Sequence, residues 1–110
     1  MKRRRNALCK ISRTFWTIHI LHHAGEGAFH GPAMAEELRE HGYQVSPGSL
    51  SPMLRKMERL GWIRAAKPPL GFWKKHKDYR VTQDGRKVLR VVRSQMRELY
   101  CEVVLEPGAR

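Results

Sequence analysis

The hydrophobic period of this chain changes twice, and few folds allow both changes. Apolar residues recur at steps of three and four up to Gly61, alternate loosely between Trp62 and Thr82, and return to the helical step from Gln83 onward. Leu8, Ile11, Phe15 and Ile18, widened by Trp16 and Ile20, predict an amphipathic helix over residues 7–24, stopped by Gly25-Glu26-Gly27. A second helix starts around Gly31-Pro32, where proline loses no bond, and stops at His41-Gly42. A third is capped by Ser46, carries Leu50, Leu54, Met57 and Leu60 on one side, and ends at Gly61. Residues 62–67 and 77–82 then read as a β-hairpin with a long tip over 68–76. Thr82 caps a last helix, whose Leu89, Val92, Met96, Leu99 and Val103 alternate steps of three and four, an a/d seam of two heptads.

Three helices, a hairpin and a further helix follow the order of a winged helix-turn-helix, in which helix three enters the DNA major groove and the hairpin, or wing, reaches the neighbouring backbone. The expected fold is mainly α with a small β-hairpin, plus a C-terminal dimerisation helix. The expected division is a basic N-terminal arm over 1–6, the winged unit over 7–82, the dimerisation helix over 83–105 and a tail over 106–110. A seam this short needs a partner helix. One 110-residue chain that also spends its first helix on a winged core cannot cover it, so a homodimer is expected, with Leu8, Ile11 and Phe15 joining Leu89, Val92, Met96, Leu99 and Val103 at the interface.

Charge points to the partner. Lys and Arg number 22 against 10 Asp and Glu, a net charge of +12, and nucleic acid is the polyanion a folded basic domain most often meets. With Leu50 turned to the core, Gly48, Pro52, Arg55 and Arg59 share the opposite face of helix three, flanked by Ser51 and Lys56. The wing adds Lys67, Lys74, Lys75 and Lys77, with Phe72 and Trp73 interleaved, and Glu58 is the single acid between residues 43 and 77. Exposed cations on a helix are commonly a solvated face, but a merely soluble surface mixes the signs. Ser49, Ser51, Pro52, Arg55, Lys56, Arg59, Lys74, Lys75 and Lys77 are therefore the expected DNA contacts. The two-fold seam matches palindromic duplex half-sites; a basic RNA-binding or ribosome-associated winged module is the alternative.

The residues themselves resemble a family. Val45-Ser46-Pro47-Gly48-Ser49-Leu50, Leu54, Met57-Glu58, Gly61-Trp62-Ile63 and Tyr79-Arg80-Val81-Thr82 with Gly85, in that order, are similar to the PadR family of transcriptional regulators, as is His30-Gly31. The resemblance runs from about Ile11 to Val104 and implies a homodimeric winged-helix repressor, some relatives of which take a small effector at the dimer interface. Pro32 and Ser51 stand where the family usually has Tyr, both close to the expected DNA-facing surface.

Other chemistry finds little support in the pattern. There is no Gly-rich phosphate loop, no Gly-x-Ser-x-Gly and no His-Glu-x-x-His, so an enzyme is not expected. Cys9 and Cys101 form no Cys-x-x-Cys pair, and two reduced thiols are expected rather than a redox switch. His19 and His23 sit one helical turn apart and could reach one metal, but no carboxylate or Cys stands at fixed spacing to complete a set, so neither metal nor cofactor is expected. Phe15 and Trp16 are candidates for an effector pocket, against the plainer reading that they are core. Lys10, Arg13 and the histidines interrupt any apolar run after the basic Lys2–Arg5 start, which otherwise suggests a leader or presequence. No membrane partner is expected, and the location is expected to be cytoplasmic, with the nucleoid.

Overall fold

The computed structural model describes residues 2–66 and 77–105. The wing tip with Lys74 and Lys75, the tail, and the side chains of Leu8 and Cys9 lie outside the described residues. Helix α1 spans Lys2–Ala24, strand β1 Phe29–His30, α2 Gly31–Glu40, α3 Pro47–Arg59, β2 Ile63–Ala66, β3 Asp78–Val81 and α4 Gln83–Tyr100, which continues as a π-helical turn over Cys101–Leu105.

The helix ends follow from side-chain and backbone chemistry. His30 Nδ1 accepts from Ala33 N at 3.2 Å and opens α2, Ser46 Oγ accepts from Ser49 N and opens α3, and Thr82 Oγ1 accepts from Gly85 N at 3.0 Å and opens α4. Both α2 and α3 close on glycines with positive φ, Gly42 at 93° and Gly61 at 81°. In each, the residue after the glycine donates back to the helix, Tyr43 N to Leu38 O and Trp62 N to Met57 O, the Schellman arrangement that only glycine adopts without strain.

One expectation is corrected here. Helix α1 begins at Lys2, so residues 2–6 belong to the helix rather than to a separate arm; Lys and Arg are good helix formers and no Gly or Pro interrupts them. The face of α1 turned to the core is Trp16, Ile20, Leu21 and Ala24, all buried, while Ile11 and Phe15 are exposed. Helix α1 thus carries two apolar faces, and the more regular stripe is not the core one.

The sheet has three strands in the order β1-β3-β2, all antiparallel. Ile63 pairs with Val81 and Ala66 with Asp78 in the hairpin, and Phe29 pairs with Tyr79 on the other edge. Strand β1 was not legible in the sequence, because two residues have no period. The core joins Ile20 and Leu21 of α1, Met34 and Leu38 of α2, Leu50, Leu54 and Met57 of α3, Ile63 and Tyr79 of the sheet, and Leu89 of α4.

Candidate nucleic-acid interface

Burial of Leu50, Leu54 and Met57 fixes the rotation of α3 and turns Gly48, Ser51, Pro52, Arg55, Lys56 and Arg59 to solvent. Among the described residues none of the three cations on this face makes an ion pair, so their charge is available to an outside anion. Ser49 is different: it is half-buried, and its Oγ lies 2.8 Å from Ser46 Oγ, so the side chain belongs to the cap of α3. Pro52 sits inside the helix, which runs from Pro47. Its missing N–H leaves the Gly48 carbonyl without a helical donor, and both residues are exposed, where water can supply one.

The hairpin adds cations that the sequence reading passed over. Arg64 and Arg80 are exposed and stand directly opposite each other across β2 and β3. Like charges in register repel, and an anion over the pair would relieve the repulsion. Their positions follow from the outward alternation of the two strands, the signal that would have found them. Lys77, just before β3, is also exposed. Burial raises the Tyr79 phenol above its ordinary range, Glu58 adding to the effect and Arg55 opposing it.

Between α1, α3 and α4 runs a groove of about 780 Å³, floored by Ile18, Leu21, Met53 and Val92 and rimmed by Lys10, Arg13 and Lys56. Neither candidate for an effector pocket lines it. Trp16 is 5% exposed and packs edge-on to Tyr43, so it is core, and Phe15 faces solvent. Of the expected interface residues, Leu89 is buried within its own chain and Val92 is half-buried, because this part of α4 lies against α1. Ile11, Phe15, Met96, Leu99 and Val103 are exposed, as are Val104 and Leu105 beyond them.

The fold also gathers side chains that sequence spacing left apart. His41, at the C-cap of α2, comes against His19 and His23 of α1, with Glu37 beside them. Burial, followed by the neighbouring His41, His23 and His22, holds the His19 imidazole below its ordinary pKa. Cys101 is exposed in the final π-helical turn, on another element.

Three helices with a capped, cation-bearing α3 and a three-stranded sheet beside it define a winged helix-turn-helix protein. Residues 20–91 match the transcriptional regulator PadR-like family. The chain is 38% identical over 95 residues to Transcriptional regulator Rv3488 of Mycobacterium tuberculosis, a match spanning 86% of this chain and 88% of that one. The chain therefore belongs to the PadR family and is a transcriptional regulator, not an enzyme. Its fold is similar to the crystal structure of a PadR family transcriptional regulator from Eggerthella lenta, with a TM-score of 0.75 at 27% identity over 94% of this chain and 93% of that one. It also shares the fold of a PadR-like transcriptional regulator from Bacillus cereus, TM-score 0.73 at 22% identity over 90% and 99% of the two chains. Among the described residues no helix is long and apolar enough to cross a membrane.

Proposed function

We propose that this regulator is a homodimeric repressor that binds palindromic duplex DNA through α3 and the wing. The observation that carries the reading is the solvent face of α3, which offers Arg55, Lys56 and Arg59 among small residues, while Arg64 and Arg80 stand paired on the exposed face of the hairpin. A helix of this kind suits the major groove, where Arg reads guanine edges and Lys holds phosphates. Ser51 and Arg55 are the base-reading residues in this proposal, with Pro52 closing the approach and Ser49 supporting the turn. Lys56, Arg59, Arg64, Arg80 and Lys77 hold the backbone, together with Lys74 and Lys75 of the wing tip.

Dimerisation is supported by the apolar stripe that the single chain leaves uncovered, Ile11 and Phe15 on α1 with Met96, Leu99 and Val103 on the terminal helix. Separate large apolar side chains are ordinary on a surface, but apolar residues left exposed at steps of three and four over two turns of the terminal helix, Met96, Leu99 and Val103, mark an interface. Regulators of this family bind DNA and typically dimerise, and two α3 helices related by a two-fold axis would address two half-sites.

Fluorescence anisotropy on duplex DNA selected from a random pool, scrambled duplex, structured RNA and heparin tests the reading. Preference for the selected duplex over the other three is expected. Equal binding to RNA or heparin would replace it with a general polyanion-binding role.

A further inference from the structure

We propose that His19, His23 and His41, with Glu37 as a fourth ligand, form a binding site for one divalent transition-metal ion of the zinc class. The three histidines each bring a ring nitrogen within 4.8 Å of the others. Their rings are gathered with centroids 4.8 Å apart for His19 and His41 and 5.6 Å apart for His23 and His41. Glu37 Oε1 lies 3.3 Å from His23 Nε2 and 3.7 Å from His41 Nε2. In a tetrahedral site with metal–ligand bonds near 2.0–2.1 Å, neighbouring donor atoms stand roughly 3.3 Å apart. The carboxylate is thus already at tetrahedral spacing from one imidazole and close to it from a second, and the three imidazole nitrogens close on the ion from within 4.8 Å of one another.

The arrangement of His23 says what is wanted at the centre. Its Nδ1 lies 3.0 Å from Glu26 Oε1, and a carboxylate can only accept, so Nδ1 carries the proton. In the neutral ring Nε2 then bears a lone pair. That atom is buried with no hydrogen-bond partner, and the carboxylate oxygen it faces at 3.3 Å is another lone-pair donor. A cation shared by this nitrogen and the carboxylate would satisfy both. A carboxylate holding the outer nitrogen of a metal-binding histidine is also the usual way such a ring is oriented and made more basic.

The donor set selects the ion. Imidazoles with one carboxylate suit zinc, cobalt and nickel, and are poor ligands for magnesium or calcium, which take oxygen. His41 and Glu37 are half-exposed, which leaves a path from solvent. His22 belongs elsewhere: its Nδ1 faces Arg93 of α4 at 3.5 Å. An ion at the site would tie α1 to the C-terminal end of α2, five residues before the cap of α3.

The test is titration of the full chain, without an affinity tag and stripped by chelator, with zinc chloride by calorimetry and with cobalt chloride by visible absorption. One ion per chain and the intense d–d bands of tetrahedral cobalt are expected. His41→Ala and Glu37→Gln should each weaken zinc binding by at least ~10-fold, the lower end of what even an outer-sphere change costs. His22→Ala should leave it unchanged. Circular dichroism of each metal-free variant checks that the fold persists; both sites of substitution are half-exposed, and Glu37→Gln preserves shape. The proposal is overturned if wild type takes up no zinc saturably, if His41→Ala and Glu37→Gln bind as wild type does, or if His22→Ala abolishes binding, which would move the ion to His22, His23 and Glu26.

Discussion

Gly85 should be irreplaceable even by alanine. It is the third residue of α4, and a Cβ built on it would lie 2.2 Å from the Trp62 carbonyl oxygen, 2.8 Å from Val81 Cγ2 and 3.0 Å from the Trp62 carbonyl carbon. The first distance is about 1 Å short of van der Waals contact, and the obstacle is backbone, which cannot rotate away. Either α4 or the Gly61-Trp62 turn must move. The same junction holds Thr82 N to Trp62 O at 3.0 Å, Gly85 N to Thr82 Oγ1 at 3.0 Å, and Thr82 Oγ1 to Gly61 O. Overpacking costs ~1–3 kcal/mol, and weakening two of these bonds adds ~0.5–1.5 kcal/mol each. Against this, alanine gains about 1 kcal/mol in helix propensity. Gly85→Ala should therefore lose ~1–5 kcal/mol, centred on about 3, read as a fall of roughly 1–3 M in the urea midpoint at one fixed protein concentration. Gly48→Ala is the control, since a Cβ there meets nothing within 4 Å; it should be neutral or gain ~0.4–1 kcal/mol. Equal midpoints for Gly85→Ala and wild type, or an equal loss at Gly48, would refute the reasoning.

Thr82→Val keeps the shape of the side chain but removes the oxygen that serves both Gly85 N and Gly61 O, and should cost ~1–2 kcal/mol; an unchanged urea midpoint would show that water replaces it. Sedimentation should find the wild type dimeric at micromolar concentration and the Met96→Lys, Leu99→Lys double variant monomeric, while a wild type that sediments as a monomer would remove the interface assigned to the exposed stripe. Arg55→Ala should lose ~1–3 kcal/mol of affinity on the selected operator and much less on scrambled duplex; equal losses on both would make Arg55 a phosphate anchor. Lys77→Ala should weaken all duplexes alike and reduce the slope of log K against log salt by roughly two per dimer, at about 0.9 per phosphate contact, and an unchanged slope would place Lys77 away from the backbone.

The local elements were largely written in the sequence, because caps, glycine stops and hydrophobic period act over a few residues. Ser46, Gly42, Gly61 and Thr82 mark helix ends by chemistry that needs no tertiary partner, and Leu50, Leu54 and Met57 define the buried side of α3 by spacing alone. From that spacing the exposed position of Arg55, Lys56 and Arg59 follows directly. What needed the folded chain is whatever depends on residues far apart coming together. The periodicity of α1 offered two apolar faces, and only packing against α2, β3 and α4 chose the one bearing Trp16 and Ile20 and left Ile11 and Phe15 outside. Strand β1 exists because β3 offers it an edge, and two residues have no pattern of their own. The requirement for glycine at position 85 comes from the backbone of Trp62, 23 residues earlier, crossing close over the start of α4. The meeting of His19 and His23 with His41 and Glu37 depends on how α1 crosses the end of α2, an angle set by the volumes of core side chains rather than by any local rule.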